Sequence, residues 1–222
     1  TRDTLSLHDR SSDLMSEENK NGYPLSCVDC SVTACRFGKD NYPEFCLTKQ
    51  LSEDAKEEVL PKYFSDDITS KCSVCSVEVE GEYYGQMARV EETMEFARRI
   101  GAERIGLAYC SDMADEAELY ARILRINGFS VVSVICKYGE LDEGAVLYGT
   151  PNGRVMCNPI GQAQFLNGAK TDMNILIGLC VGSDSLFIKH SNALTTVMIN
   201  KDRLTCNNPA VTLYRPERRK LV

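Results

Sequence analysis

The sequence predicts an α/β fold, a mainly parallel sheet with helices on both faces, preceded by a small Cys-rich metal-bound N-terminal module. Three observations carry that expectation. Beyond Gly85, short continuous apolar runs alternate with stretches of helical period, the pattern of strands buried on both faces. Four cysteines fall within "SCVDCSVTACRFGKDNYPEFC", residues 26–46, a polar and turn-rich segment. The longest apolar run, Ile175 to Val181, is far shorter than the roughly 18 residues that span a bilayer, so no membrane segment is expected.

Taken in order, residues 15–65 read as the four-cysteine module, with a short helix over Lys49 to Leu60. Residues 66–85 fit either a helix capped at Asp66 or a strand alternating through Val74, Val77 and Val79, and the helix is preferred. Met87, Val90, Met94, Ala97 and Ile100 recur at helical spacing and stop at Gly101. "RIGLAYC" reads as a buried strand, and Ser111 or Asp112 is the expected cap of a helix running to Asn127. "FSVVSVIC" is the second strand. A loop from Lys137 to Val155 follows, rich in glycine and a candidate lid. After it come a helix from Pro159, a strand at "NILIGLC", a short helix from Ser183 and a last strand at "TTVMIN". The α/β domain thus covers 66–214, and 215–222 is a basic tail. Residues 1–14, TRDTLSLHDRSSDL, look like the translation of a sequencing-library adapter, and the natural start is expected at Met15.

Composition narrows the function. A net charge of −7, with basic residues clustered only at Arg215, Arg218, Arg219 and Lys220, argues against nucleic acid as a partner. Eleven cysteines without a secretory signal point to a reducing, cytoplasmic setting in which thiolates bind metal or do chemistry. With two histidines, His8 and His190, no Ser-His-Asp or Cys-His triad assembles. There is no G-x-G-x-x-G after the first strand and no Walker-type loop.

Cys27, Cys30, Cys35 and Cys46 have the spacing C-x2-C-x4-C-x10-C, which can close a four-thiolate shell around zinc or an iron-sulfur cluster. A second constellation lies in the core: Cys110, Cys136 and Cys180 end three predicted strands, and Cys157 precedes a helix. In open parallel sheets ligands bind beyond the carboxyl ends of the strands, so these four thiols form a candidate second metal or thiolate site. Asn158, Gln162, Gly182, Ser183 and Asp184 are candidate ligand-binding residues beside it. Cys72 and Cys75 form a C-x-x-C taken as incidental, and His190 reads as a surface imidazole.

These motifs, with "RVEETMEFARRIGAERIGLAYC", "VICKYG", "MCNPIGQAQFLN", "GLCVGSDSLFIKHS" and "TTVMINKDRLTCNNPAVTLY", resemble the prokaryotic DUF1847 family of uncharacterised metal-binding proteins, many from anaerobes. The likeness runs from about residue 25 to 214. It implies metal at Cys27, Cys30, Cys35 and Cys46 and includes the four core cysteines in its motifs, but supplies no reaction. Two departures stand out: Ser183 where that family usually has histidine before Asp184, and Asn207 where His-Asn-Pro is more usual. The expected function is a metal-binding protein handling electrons or sulfur at the strand-end pocket, with a small-molecule or redox partner. The alternatives are a zinc-stabilised module that binds a ligand or protein, and metal storage or delivery.

Overall fold

The computed structural model describes residues 22–219. The adapter-like segment 1–14, Met15 and His8 lie outside the described residues, as does the end of the basic tail. The chain divides into two compact units between Ser70 and Lys71.

The N-terminal unit has little regular structure. A 3-10 turn, Cys27–Asp29, is closed by a reciprocal cap, in which the Ser26 backbone N–H donates to Asp29 Oδ2 at 2.9 Å. A second turn, Ala34–Arg36, follows Thr33, whose φ of 47° reverses the chain. The helix expected over Lys49 to Leu60 is broken in two: α1 spans Leu47–Gln50 and α2 spans Glu53–Val59. The break lies at Ser52, whose hydroxyl accepts from the Ala55 N–H at 3.2 Å and so starts a new helix. A 3-10 turn, Leu60–Phe64, completes the unit.

Helix α3, Asp67–Tyr83, crosses the division and settles the ambiguous segment as helical. Asp66 caps it through the Thr69 N–H at 2.9 Å, and the chain leaves it through Gly85, at a φ of 68°. Helix α4, Arg89–Ile100, buries Thr93, Met94, Ala97 and Ile100 and stops at left-handed Gly101.

From there the chain alternates: β1, Arg104–Tyr109; a 3-10 turn, Ser111–Met113; α5, Ala114–Ile126; β2, Ser130–Ile135; α6, Glu143–Tyr148; α7, Pro159–Gly168; β3, Met173–Ile177; α8, Val181–His190; and β4, Leu194–Ile199. A short helix α9, Ala210–Leu213, and a 3-10 turn, Pro216–Arg219, follow. No helix among the described residues is long and apolar enough to cross a membrane.

The four strands are all parallel, in the order β2-β1-β3-β4. The order reverses after β2, so with right-handed crossovers α5 covers one face while α7 and α8, which pack on each other, cover the other. Central strand β3 is wholly buried and β1 nearly so, which explains their continuous apolar sequence. At the β3–β4 ladder the register slips between Leu176 and Ile177, and Arg89 of α4 donates to the Val197 carbonyl at 2.9 Å and to the Thr196 hydroxyl at 2.9 Å.

Three boundaries correct the sequence expectations. The segment Lys137 to Val155 is not an open loop, for it carries α6 and a bridge between Asp142 and Val155. Asp142 organises it, its carboxylate accepting from the N–H groups of Ala145, Asn152 and Gly153 at 2.8 to 3.0 Å. Helix α8 begins two residues before Ser183, with Cys180 at its N-cap, because Gly178 turns the chain at a φ of 61° directly after β3. Neither Ser111 nor Asp112 is an N-cap; Cys110 holds that place before the 3-10 turn and α5 starts at Ala114.

One polar residue lies inside the sheet. Asn174 of β3 is fully buried, accepting from the Thr171 hydroxyl at 2.7 Å and donating to the Ser191 hydroxyl at 2.9 Å. Its partner in register on β1 is Gly106, where a Cβ would collide with the Asn174 amide oxygen and crowd Leu166 and Thr171. Replacing Gly106 by Ala is therefore expected to destabilise the fold by about 1–3 kcal/mol, the usual cost of overpacking, measured as a lower urea midpoint at unchanged slope.

Candidate functional site

In the N-terminal unit, Cys27, Cys30, Cys35 and Cys46 line one cavity of about 60 Å³, together with Thr33, Phe45, Leu47 and others. That volume exceeds the roughly 10–15 Å³ that one water requires. Cys46 is the N-cap of α1, and the Lys49 backbone N–H, outweighing the effect of burial, holds its thiol below the ordinary range with help from Thr48. All four thiols are free. Among the described residues, no three His, Cys, Asp or Glu side chains converge as ligands on one metal ion. The donor set suits zinc or an iron-sulfur cluster in chemistry, and the four sulfurs share a cavity without closing on a common point.

The sheet brings the second group to one edge. The Cys110 N–H donates to the Ile177 carbonyl at 3.0 Å and the Cys136 N–H to the Tyr109 carbonyl at 2.8 Å, so β1, β2 and β3 end side by side. The Asn158 N–H donates to the Cys136 carbonyl at 2.8 Å, which draws Cys157 to the same edge. Cys157 lies within electrostatic reach of both Cys136 and Cys180. The Ser111 backbone N–H points at Cys136 Sγ, 3.4 Å away. Among the described residues these sulfurs form no three-ligand metal arrangement either.

Lys201 and Arg203, which the sequence reading passed over, and Asp112, expected there only as a helix cap, complete it. Lys201, just beyond β4, places Nζ 2.6 Å from Cys110 Sγ and 3.0 Å from Asp112 Oδ2, and its side chain is only 5% exposed. Arg203 bonds the same Asp112 oxygen at 3.0 Å and also reaches Cys180. In the sequence "KDR" begins two residues past the fourth strand, where cysteines stand one to three residues past the other three, and nothing in its spacing marks it.

Electrostatics separate the sulfurs. Burial by itself raises the Cys110 thiol, but the Lys201 ammonium and the Asp112 backbone N–H outweigh it and leave the thiol below its ordinary range. Burial lowers Lys201, and its bonds to Cys110 and Asp112 reverse that, so the lysine stays charged. Cys157 is pushed up, first by burial and then by Cys136 and Cys180.

The candidate ligand residues divide. Asn158 is occupied in capping α7, its Oδ1 accepting from the Gly161 N–H at 2.9 Å and its Nδ2 donating to the Tyr138 carbonyl at 3.1 Å. Gln162 is fully buried and ties the ends of β2 and β1, Nε2 donating to the carbonyls of Val134 at 2.9 Å and Tyr109 at 3.4 Å, while Oε1 has no protein partner. Gly182 is exposed with open space around it, and Ser183 lies half-buried in the first turn of α8. Asp184 has a buried carboxyl oxygen without a partner. His190 is at the far end of α8, and Cys72 and Cys75 lie on α3, where burial raises Cys75.

Residues 46–198 match the family described as "Protein of unknown function (DUF1847)". The chain belongs to that family. The matched span holds Cys46 and the four strand-end cysteines, and Cys27, Cys30 and Cys35 precede it. The chain is also 35% identical over 193 residues to an uncharacterised protein of the archaeon Methanocaldococcus jannaschii, covering 86% of this chain and 94% of that one. No solved structure matches.

Burial pushes the Asp184 carboxyl up to about 6. A carboxyl raised on folding favours the fold below its unfolded value near 4, and that contribution is lost as pH rises through 6. Asp184→Asn is therefore expected to leave stability unchanged at pH 4 and to add about 1 kcal/mol at pH 8, the shift being discounted for the half-exposed site. Urea melts at the two pH values check this.

Proposed function

We propose that this DUF1847 protein handles electrons or sulfur through cysteine thiolates at the carboxyl edge of its sheet, with an N-terminal four-cysteine module that holds zinc or an iron-sulfur cluster. The observation that supports it is the crevice itself, where Cys110, Cys136, Cys157 and Cys180 gather beside Lys201 and Arg203 at the switch point between β1 and β3. Packing alone would call for cysteine as a small apolar residue, but not for a buried ammonium against one of the sulfurs.

Each part has a role. Cys110 serves as the ionised thiol, Cys136 and Cys157 are neighbouring thiols that can attack a disulfide formed on Cys110, and Arg203 holds Asp112 beside Cys180. In the N-terminal unit Cys27, Cys30, Cys35 and Cys46 would hold the metal, and a cluster there would supply an electron-transfer centre while zinc would supply only a fold. Eleven thiols suit the reducing cytoplasm, and the partner is a small molecule or a redox protein.

A second reading, a zinc-stabilised binding module, draws on the depth of Cys110 and Cys136, which are 5% and 1% exposed. Metal and acid-labile sulfide analysis of protein purified without oxygen, together with thiol mapping, separates the two. Iron with sulfide, lost in Cys27→Ser and Cys46→Ser, and alkylation of the crevice thiols in the native state are the expected results. One zinc per chain with crevice thiols that react only after unfolding would leave the binding module standing.

A further inference from the structure

Resting on that reading, we infer that Lys201 is the residue that makes Cys110 the attacking sulfur of the crevice, and that the bond attacked is the sulfur–sulfur bond of a small disulfide or persulfide. The geometry is specific. A lysine side chain buried to 5% exposure needs countercharge, because an ammonium taken out of water costs several kcal/mol unless it is paired. Two groups provide it, Asp112 at 3.0 Å and Cys110 at 2.6 Å, and Arg203 already draws on Asp112. The balance left for Lys201 is a thiolate.

The groups facing Cys110 come from several elements. Lys201 reaches it from the loop after β4, and Asp112, whose carboxylate bonds both cations, stands two residues away in the same turn. On the β2 side the Ser111 N–H is directed to Cys136, and on the β3 side Arg203 reaches Cys180. A Cβ at Gly178 would strike Met113, so the ends of β1 and β3 are in close approach. Among the described groups bonded to these sulfurs there is no imidazole to serve as a general base, and a thiolate attacking a disulfide needs none.

The step balances without any further reactant. The Cys110 thiolate attacks one sulfur of R–S–S–R; a Cys110–S–S–R bond forms, the substrate bond breaks, and its electron pair leaves on R–S⁻, which takes a proton from water. Attack by a second crevice thiol on Cys110 then releases the other half as R–SH. The protein dithiol has lost two electrons and the substrate disulfide has gained them. With a persulfide the same first step moves the outer sulfur to Cys110 and releases R–S⁻.

The test is iodoacetamide alkylation of the full chain under anaerobic, native conditions from pH 5.5 to 9.5, with each cysteine quantified by mass spectrometry, followed by incubation with glutathione disulfide and mapping of the mixed disulfides. An ordinary thiol near 8.5 is only about 3% ionised at pH 7. Cys110 is expected to react first among the crevice cysteines at pH 7 and to be the first to carry glutathione. Lys201→Met should slow its alkylation at least tenfold at pH 7 and much less at pH 9.5, with Lys201→Arg recovering most of the rate. Asp112→Asn should hold or raise the rate, since the ammonium then has one partner; if Lys201 merely braced the loop, this variant would slow Cys110 instead. Circular dichroism confirms that each variant is folded. A Cys110 rate that is unchanged in Lys201→Met, or that falls in Asp112→Asn, overturns the assignment. If other crevice cysteines still take up glutathione, only the role of Lys201 and Cys110 falls. If none does, the thiolate reading of the protein falls with it.

Discussion

Everything at the candidate site follows from strands that run the same way. Because β1 to β4 are all parallel, every strand delivers its last residue to one edge, and every connection back must cross a face of the sheet. The reversal of order between β1 and β3 marks the switch point at which open parallel sheets bind ligands. Cysteines at the ends of three strands, a fourth drawn in by the Asn158 bond and a lysine after the fourth strand meet for that reason alone, though they are spread from residue 110 to 201.

The site is also expensive to keep. A half-buried carboxyl pushed up to about 6 and a buried glutamine oxygen without a partner lie in or near this edge, and each weakens the fold, whereas the buried Lys201 is held by Cys110 and Asp112. Asn174 shows the opposite case. It is buried as fully as Gln162, yet both ends of its amide are bonded, and Gly106 leaves the space it needs. A core polar group that is satisfied serves packing; Gln162 and Asp184, each with an oxygen left unsatisfied, lie where chemistry would use them.

Much of this was legible in the sequence. Four strands, their parallel arrangement and the helices between them follow from the alternation of apolar runs with helical periods, and three of the strand-end cysteines are visible as the last letters of those runs. Boundaries were less so, because they depend on single local bonds: Ser52 interrupts one helix, Gly178 starts another early, and Asp142 folds an apparent loop around its carboxylate. Lys201 could not be singled out by its spacing, since its meaning arises from a pairing with Cys110 that lies 91 positions away. The Asn174 network was hidden in the same way, an uncharged residue inside an otherwise apolar run.

Arg89 has a bearing on how the domain comes apart. It belongs to α4, before the first strand, and it takes the carbonyl of Val197 in the last strand, 108 residues later, at the point where that strand slips register. An edge strand held by one neighbour would ordinarily fray first. Here its backbone is bonded to the helix that precedes the first strand, so release of β4 also breaks its bond to α4. The beginning and the end of the sheet domain are thereby joined in one cooperative unit, and the loop carrying Lys201, which hangs directly from β4, inherits the steadiness of a helix far from it in the chain.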